Sequence, residues 1–332
     1  MMKAMGVRTW GGVDKLEMLE IAPPTAGVND VLIRVVAASV NPADWRIREG
    51  EFKLFIRKLP FILGADVAGI VEQVGANVSK FKPGDAVYAM IPVGAGGGYA
   101  EYAALKESTA AHIPPNLTFA EAASLPLTAL TALQALRDKA NVQPGQRVVI
   151  NGAAGGVGTF AVQIAAALGA QVTAVSRSAN HEFVRGLGAN DVIDYQAQDP
   201  LDGTRQYDVI FDCVNTLTPG AARKALVAGG VFLSVNPVYA NPISKLIMRL
   251  GGRRLESVFV QPRGSDLEAL RGWIEAGKLR PVIEQVYPLT QVAAAHERSA
   301  TNRVRGKLVL CVDEALAGER LTSGLGSRRS GG

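Results

Sequence analysis

From Arg147 to Ala170 the chain runs RVVINGAAGGVGTFAVQIAAALGA, an apolar strand, then four glycines within seven residues, then a run of small and apolar helix formers. Few backbones accept that order. A strand that turns sharply into a helix over glycine can approach a pyrophosphate with no Cβ in the way, and it leaves the first helical amides free to hold negative charge. Set against the G-x-G-x-x-G pattern, the three glycine positions are Ala153, Gly155 and Gly158, so alanine stands in the first. Ala154, Gly155, Gly156, Val157 and Gly158 are therefore candidate ligands of a dinucleotide.

The flanking sequence supplies the context this pattern requires. Strand-like and helix-like segments alternate after the turn: QVTAVS, HEFVRGLG, YDVIFDCV, PGAARKALV, GVFLSV, with LESVFVQ as a further strand. Repeated βαβ units predict an α/β unit with a doubly wound parallel sheet and helices on both faces. Before Phe119 the character differs. Short apolar runs such as DVLIRVVAASV, DVAGIVEQVG and DAVYAMI lie between Pro and Gly turn signals and predict a mostly antiparallel β unit. Helical spacing begins with FAEAASLPLTALTALQALRDKA and returns over residues 265–276, ahead of a last strand, GKLVLCV.

Length and composition narrow the class. A chain of 332 residues is too long for one ordinary core, which favours two domains. The net charge of +5 is small and its Lys and Arg are scattered, so no nucleic-acid partner is expected. Two cysteines, Cys213 and Cys311, make no CxxC pair and fit a reducing, cytoplasmic compartment. The most apolar stretch, from Gly152 to Val175, is broken by Gln163, Gly169 and Gln171, and no membrane partner is expected.

Five segments, SVNPADWRIREG, GADVAGIVEQVG, KPGDAVYA, GGGYAEYAAL and NGAAGGVG, occur in this order. Together they resemble the motifs of the medium-chain dehydrogenase/reductase superfamily, in its zinc-free quinone oxidoreductase branch, over about residues 3–312. The resemblance implies a Rossmann NADP-binding domain, residues 124–262, inserted in a GroES-like, mostly antiparallel β-barrel catalytic domain made of residues 1–123 and 263–312. Residues 313–332, rich in Gly and Ser, are expected to form a mobile tail. Zinc-dependent relatives carry a Cys, a His-Glu pair and a further Cys or Asp, whereas this chain has Asn41, then Ala65 and Asp66, then only hydroxyls in SLPLTAL. Catalytic zinc needs three N, S or carboxylate ligands, so no metal is expected. His112, His181 and His296 lie outside these motifs and read as surface or packing residues.

The implied activity is delivery of hydride from NADPH to a quinone or an α,β-unsaturated carbonyl. Such acceptors spread the incoming charge themselves, where a simple carbonyl relies on a Lewis acid. A zinc alcohol dehydrogenase is one alternative, and a non-catalytic NADPH-binding or sensor protein is another. A homodimer is implied as well, with LESVFVQ as an edge strand able to extend a neighbour's sheet.

By the same resemblance Asn41 is the active-site amide beside the nicotinamide ribose, and Asp44 is an acid near the cleft. From the residues alone, Asn41 is equally a turn residue before Pro42, and Asp44 equally a cap of the following turn. Thr128 resembles a hydroxyl on the nicotinamide side or simply opens a helix. Asn215 stands at the carboxyl end of a parallel strand, where ligands gather. Phe259 resembles a segment flanking the nicotinamide, though an apolar strand there also suits core or interface. Cys213 reads as core, KLIMRLGGRRLE as a solvated helix end or else as a rim of the substrate cleft, and Tyr99 and water are both open as proton donors. About 20 residues past the glycine turn, a carboxylate would bond the ribose 2′-hydroxyl of NAD. The chain has Ser176 and Arg177 there, with Tyr195 resembling a family residue near the same group, and this pattern suits a 2′-phosphate and hence NADPH.

Overall fold

The computed structural model describes residues 1–56 and 58–320, and the chain divides into two compact units. One comprises Met1–Leu127, Pro262–Gly277 and the chain from Pro281 onward. The other comprises Thr128–Gln261 with Lys278–Arg280.

The second unit is built on six parallel strands. Their spatial order is Asp191–Asp194, Gln171–Ser176, Arg147–Asn151, Tyr207–Asp212, Leu226–Ser234 and Arg254–Ser257. The chain starts mid-sheet at Arg147–Asn151, winds to one edge, then returns to Tyr207–Asp212 and winds to the other. Ligands of such sheets collect at the carboxyl ends of the two strands where the winding reverses. Helices cover both faces, which is why these strands are apolar without alternation: Val148, Val149, Ile150, Ile210, Phe211, Phe232 and Leu233 are all fully buried.

The first unit holds a seven-stranded sheet in the order Ile283–Pro288, Lys307–Cys311, Asp30–Val40, Asp66–Val74, Ala86–Met90 and Ala110–His112, with Tyr102–Lys106 also paired to Asp30–Val40. Every pairing is antiparallel except that of Ile283–Pro288 with Lys307–Cys311. A small second sheet orders Leu16–Ile21, Met2–Val7 and Phe61–Ile62. The long strand Asp30–Val40 ends directly at Asn41, and Leu308 pairs with Val40 while Ser39 pairs with Asp66. Those registers bring Asn41, Asp66 and Lys307 together.

Three local expectations change. The helical run after Phe119 is not continuous: Phe119–Ala123, held by a Thr118/Glu121 capping box, gives way to Pro126–Leu133 and then to a π-helical stretch, Gln134–Lys139. Pro126 has no amide N–H to continue the first helix, so it opens the second. The strand LESVFVQ stops at Ser257; farther on, the Gln261 backbone amide donates to the Gln134 side chain at 2.8 Å rather than to a strand. The tail is tied down at its start, where Arg34 pairs with Asp313 at 2.8 Å, the Ala317 carbonyl accepts from Ala120 N at 3.0 Å, and Ala317 is buried. Residues 321–332 of the expected mobile tail lie outside the described residues.

Candidate active site

In the second unit the strand Arg147–Asn151 runs into Gly152, whose φ of +77° turns the chain, and the helix Gly156–Ala167 begins four residues later. Gly155 is its N-cap and carries no side-chain cap, so the first helical amides have no intrahelical acceptor. Gly158 cannot be replaced without movement. A Cβ there would sit 2.1 Å from the Gly152 carbonyl oxygen and 2.8 Å from Ala153 Cα, so the third glycine of the pattern lets helix and turn approach. At Gly155 the nearest atom to an added Cβ is 3.4 Å away, which leaves room over the turn. An uncapped amide cluster under open space, reached through backbone only, fits a pyrophosphate.

The neighbouring strand ends carry the other candidates. Ser176 ends its strand and is buried, its hydroxyl donating to the Arg177 carbonyl at 3.3 Å. Arg177 Nε donates to the Tyr195 hydroxyl at 2.8 Å, so the two residues named from sequence meet. Past Tyr207–Asp212, the Asp212 carboxylate accepts from the backbone amides of Val214 and Leu217 and from Asn151 Nδ2 at 2.9 Å. That network shapes a loop in which Asn215 takes φ +59°, at the carboxyl end of the strand. Thr128 is buried in the helix Pro126–Leu133, and Phe259 is exposed after the last strand. Asn41 and Asp44 belong to the first unit, all the other candidates to the second.

Around Asn41 the first unit forms a buried polar cluster. Asp66 Oδ2 accepts from Ser39 Oγ and from Asn41 Nδ2, each at 2.8 Å, and its Oδ1 accepts from the Leu127 amide at 2.8 Å. The ammonium of Lys307 donates to Asn41 Oδ1, to the Val40 carbonyl at 3.1 Å and to Asp66 Oδ2 at 3.3 Å. The side chains of Lys307 and Asp66 are 3% and 0% exposed, so the pair is desolvated. Burial pushes the ammonium down, and the Asp66 and Asp44 carboxylates oppose that shift.

Behind this pair lies a second layer. Asp44 caps its own helix, Pro42–Arg48, accepting from the Asn41 amide at 2.8 Å, and it accepts from the Tyr99 hydroxyl at 3.0 Å. Tyr99 OH in turn lies 3.5 Å from His296 Nε2, and Arg48 Nη1 lies 3.4 Å from His296 Nδ1. Guanidinium only donates, so the proton of a neutral His296 is assigned to Nε2. Burial, with Arg48 beside it, pushes His296 down to about 3. Burial raises Asp44 to about 7, the Asp66 charge adding to the rise while the Asn41 amide opposes it.

The sign of the Asp44 shift is testable. An ordinary aspartate ionises near 3.8, so between about pH 4 and pH 7 the folded protein holds a proton that the unfolded chain has lost. The stability from this group is complete below that range and falls as pH rises through about 7. We expect the thermal midpoint of the wild type to decline relative to that of Asp44→Asn across this window and to run parallel above it. Parallel curves throughout would show that Asp44 titrates normally.

Sequence reasoning missed Lys307 and gave His296 no role in a network. A lone Lys at the head of an apolar strand, GKLVLCV, was the only signal for the first, and it looks the same as an exposed strand-end charge. His296 is fully buried on the helix Val292–Ala300, whose inward face only the fold reveals.

Comparison with known proteins gives the same outline. A zinc-binding dehydrogenase family model matches residues 187–310, and an alcohol dehydrogenase GroES-like domain matches residues 27–115. The chloroplast envelope quinone oxidoreductase homolog of Arabidopsis thaliana is 33% identical over 314 residues, covering 90% of this chain and 95% of that protein. The chloroplastic NADPH-dependent alkenal/one oxidoreductase of the same plant is 34% identical over 320 residues, covering 93% and 79%. Among solved structures, the quinone oxidoreductase from Coxiella burnetii superposes with a TM-score of 0.85 at 32% identity, covering 94% of this chain and 99% of that one.

Proposed function

This chain belongs to the medium-chain dehydrogenase/reductase superfamily, in its quinone oxidoreductase-like branch, and from that membership we propose a zinc-independent, NADPH-dependent reductase of quinones or α,β-unsaturated carbonyls. The observation that carries the proposal is the position of the Lys307 ammonium. It bonds Asn41, which stands where zinc-dependent relatives carry the Cys ligand, and Asp66, the neighbour of Ala65 that stands in the His position. A divalent cation would meet a positive charge there and only one carboxylate, which is not a donor set for zinc.

A bound nicotinamide supplies the hydride. The amides from Gly155 to Gly158, with Ala154 beside them, hold the pyrophosphate. Ser176, Arg177 and Tyr195 take the 2′-phosphate, while Thr128, Asn215 and Phe259 serve the nicotinamide half. Asn41 and Asp44 position the reacting end from within the protein: Lys307 and Asp66 lock the Asn41 amide, and Asp44 fixes the turn that carries it. The Lys307 charge is already compensated by Asp66, so it does little for a fresh alkoxide. The substrate has to delocalise the charge it receives, as a quinone or enone does, and then take a proton.

Three assays run side by side test this. Purified protein is expected to carry substoichiometric zinc, to keep its activity after chelation, and to oxidise NADPH with quinones or enones while leaving simple aldehydes nearly untouched. One zinc per chain, or comparable turnover of aldehydes, defeats the proposal. Tight NADPH binding with no turnover over the whole panel makes the protein a sensor instead.

A homodimer is part of the same proposal, supported by the outer edge of Arg254–Ser257, which pairs with no further strand among the described residues. A monomeric mass by light scattering at micromolar concentration removes it. The two cysteines are both free, which supports a reducing, cytoplasmic setting.

A further inference from the structure

Asp212 closes the strand Tyr207–Asp212 with a fully buried carboxylate, and no Lys or Arg pairs with it among the described residues. A carboxylate taken out of water without a counter-cation is costly unless hydrogen bonds replace its hydration. Three donors do so here. Oδ1 accepts from Asn151 Nδ2 at 2.9 Å and from the Val214 amide at 3.2 Å, while Oδ2 accepts from the Leu217 amide at 2.9 Å. Asn151 Nδ2 also donates to Thr216 Oγ1 at 2.8 Å. One side chain therefore ties the ends of the two strands where the winding reverses, Arg147–Asn151 and Tyr207–Asp212, to the loop of residues 213–217.

These bonds fix a conformation that the loop would not hold alone. Asn215 takes φ +59°, left-handed backbone that a residue with a Cβ adopts at a cost. The Val214 and Leu217 amides lie on either side of it in sequence, so the carboxylate grips the loop before and after the strained residue. The outcome is a close approach to the glycine turn. A Cβ on Gly152 would lie 2.4 Å from Val214 Cγ1, so Val214 rests on the residue that opens the turn. Val214 and Asn215 themselves stay exposed, at the carboxyl ends of the strands where ligands collect.

We propose that Asp212 is a positioning residue for the cofactor: it holds residues 213–217 against the glycine turn, so that Val214 and Asn215 form a wall for the nicotinamide half of NADPH. The inference rests on the cofactor reading above, in which Asn215 serves that half. Asp212, being buried, acts through the loop and not by contact. Asp212→Asn keeps its size, but an amide has one acceptor oxygen where the carboxylate uses two, so its NH2 group must face an N–H donor whichever way it turns.

Titration of the full chain with NADPH, NADH and 2′,5′-ADP tests this. The last ligand keeps the 2′-phosphate and lacks the nicotinamide ribose. Asp212→Asn is expected to weaken NADPH and NADH alike by about tenfold, the equivalent of one lost hydrogen bond, while leaving 2′,5′-ADP affinity unchanged. Asn151→Ala, which removes one donor and the link to Thr216, should give the same pattern at smaller size. The proposal fails if Asp212→Asn binds NADPH as tightly as the wild type. It also fails if 2′,5′-ADP weakens as much as NADPH, since the carboxylate then supports the whole unit and not one half of the site. Should Asp212→Asn not fold, Asn151→Ala decides by the same two criteria. A wild type that binds neither NADPH nor 2′,5′-ADP defeats the cofactor assignment itself, and this proposal with it.

Discussion

Lys307→Met is expected to cost about 3–5 kcal/mol of stability, because it strands the fully buried Asp66 carboxylate without its counter-charge. Methionine fills much of the same volume, so the loss reports charge rather than a cavity. The three remaining donors to Asp66, from Ser39, Asn41 and Leu127, do not neutralise it. Adding Asp66→Asn removes the stranded charge, so the double variant should be more stable than Lys307→Met alone and well above the sum of the single losses. Denaturant midpoints of the four proteins make the measurement. Strictly additive losses would mean that the pair is not coupled and that Lys307 does not hold this site together.

Arg177→Ala is expected to raise the Michaelis constant for NADPH about ten- to a hundredfold while leaving that for NADH nearly unchanged. A hydrogen bond to a charged group is worth roughly 1.5–3 kcal/mol, which sets that range. The structure adds a partner to the expectation, because Arg177 Nε is held by the Tyr195 hydroxyl at 2.8 Å. Tyr195→Phe should therefore loosen the guanidinium and give a smaller loss with the same cofactor selectivity. Ser176→Asp should move preference toward NADH by placing a carboxylate where a phosphate would sit. Equal effects of Arg177→Ala on both cofactors would remove the assignment.

The glycine turn and the parallel sheet were legible because their signals are local. A strand, a glycine turn and a helix are contiguous in sequence, and Ser176 and Arg177 follow at a spacing fixed by one helix and one strand. The alternation that predicts a parallel sheet is likewise a nearest-neighbour pattern. The buried cluster was not legible. Asn41 and Lys307 meet only through the pairing of Leu308 with Val40, and Asn41 and Asp66 only through that of Ser39 with Asp66. A register one residue away would turn those side chains to the opposite face. The helix Pro242–Leu250 shows another limit. The spacing of Ile243, Leu246, Ile247 and Leu250 reveals an amphipathic helix, but periodicity carries no information about which side meets the core, and here Met248 enters it.

The first unit is closed by its last strand, and this bears on how the chain is made. Lys307–Cys311 covers the edge of Asp30–Val40 at Ala37–Val40, which no other strand among the described residues pairs on that side. During synthesis, residues 128–261 can complete their own sheet while that edge stands open, a template for other unpaired strands. Asn41 and Asp66 also wait for their cation until nearly the whole chain has emerged. A chain cut short before Lys307 would keep an intact parallel sheet and cofactor turn beside an unzipped edge. Such a fragment should bind nucleotide yet aggregate, so a ribosome that stalls near the 3′ end of the message releases a chain that keeps its ligand and loses its solubility.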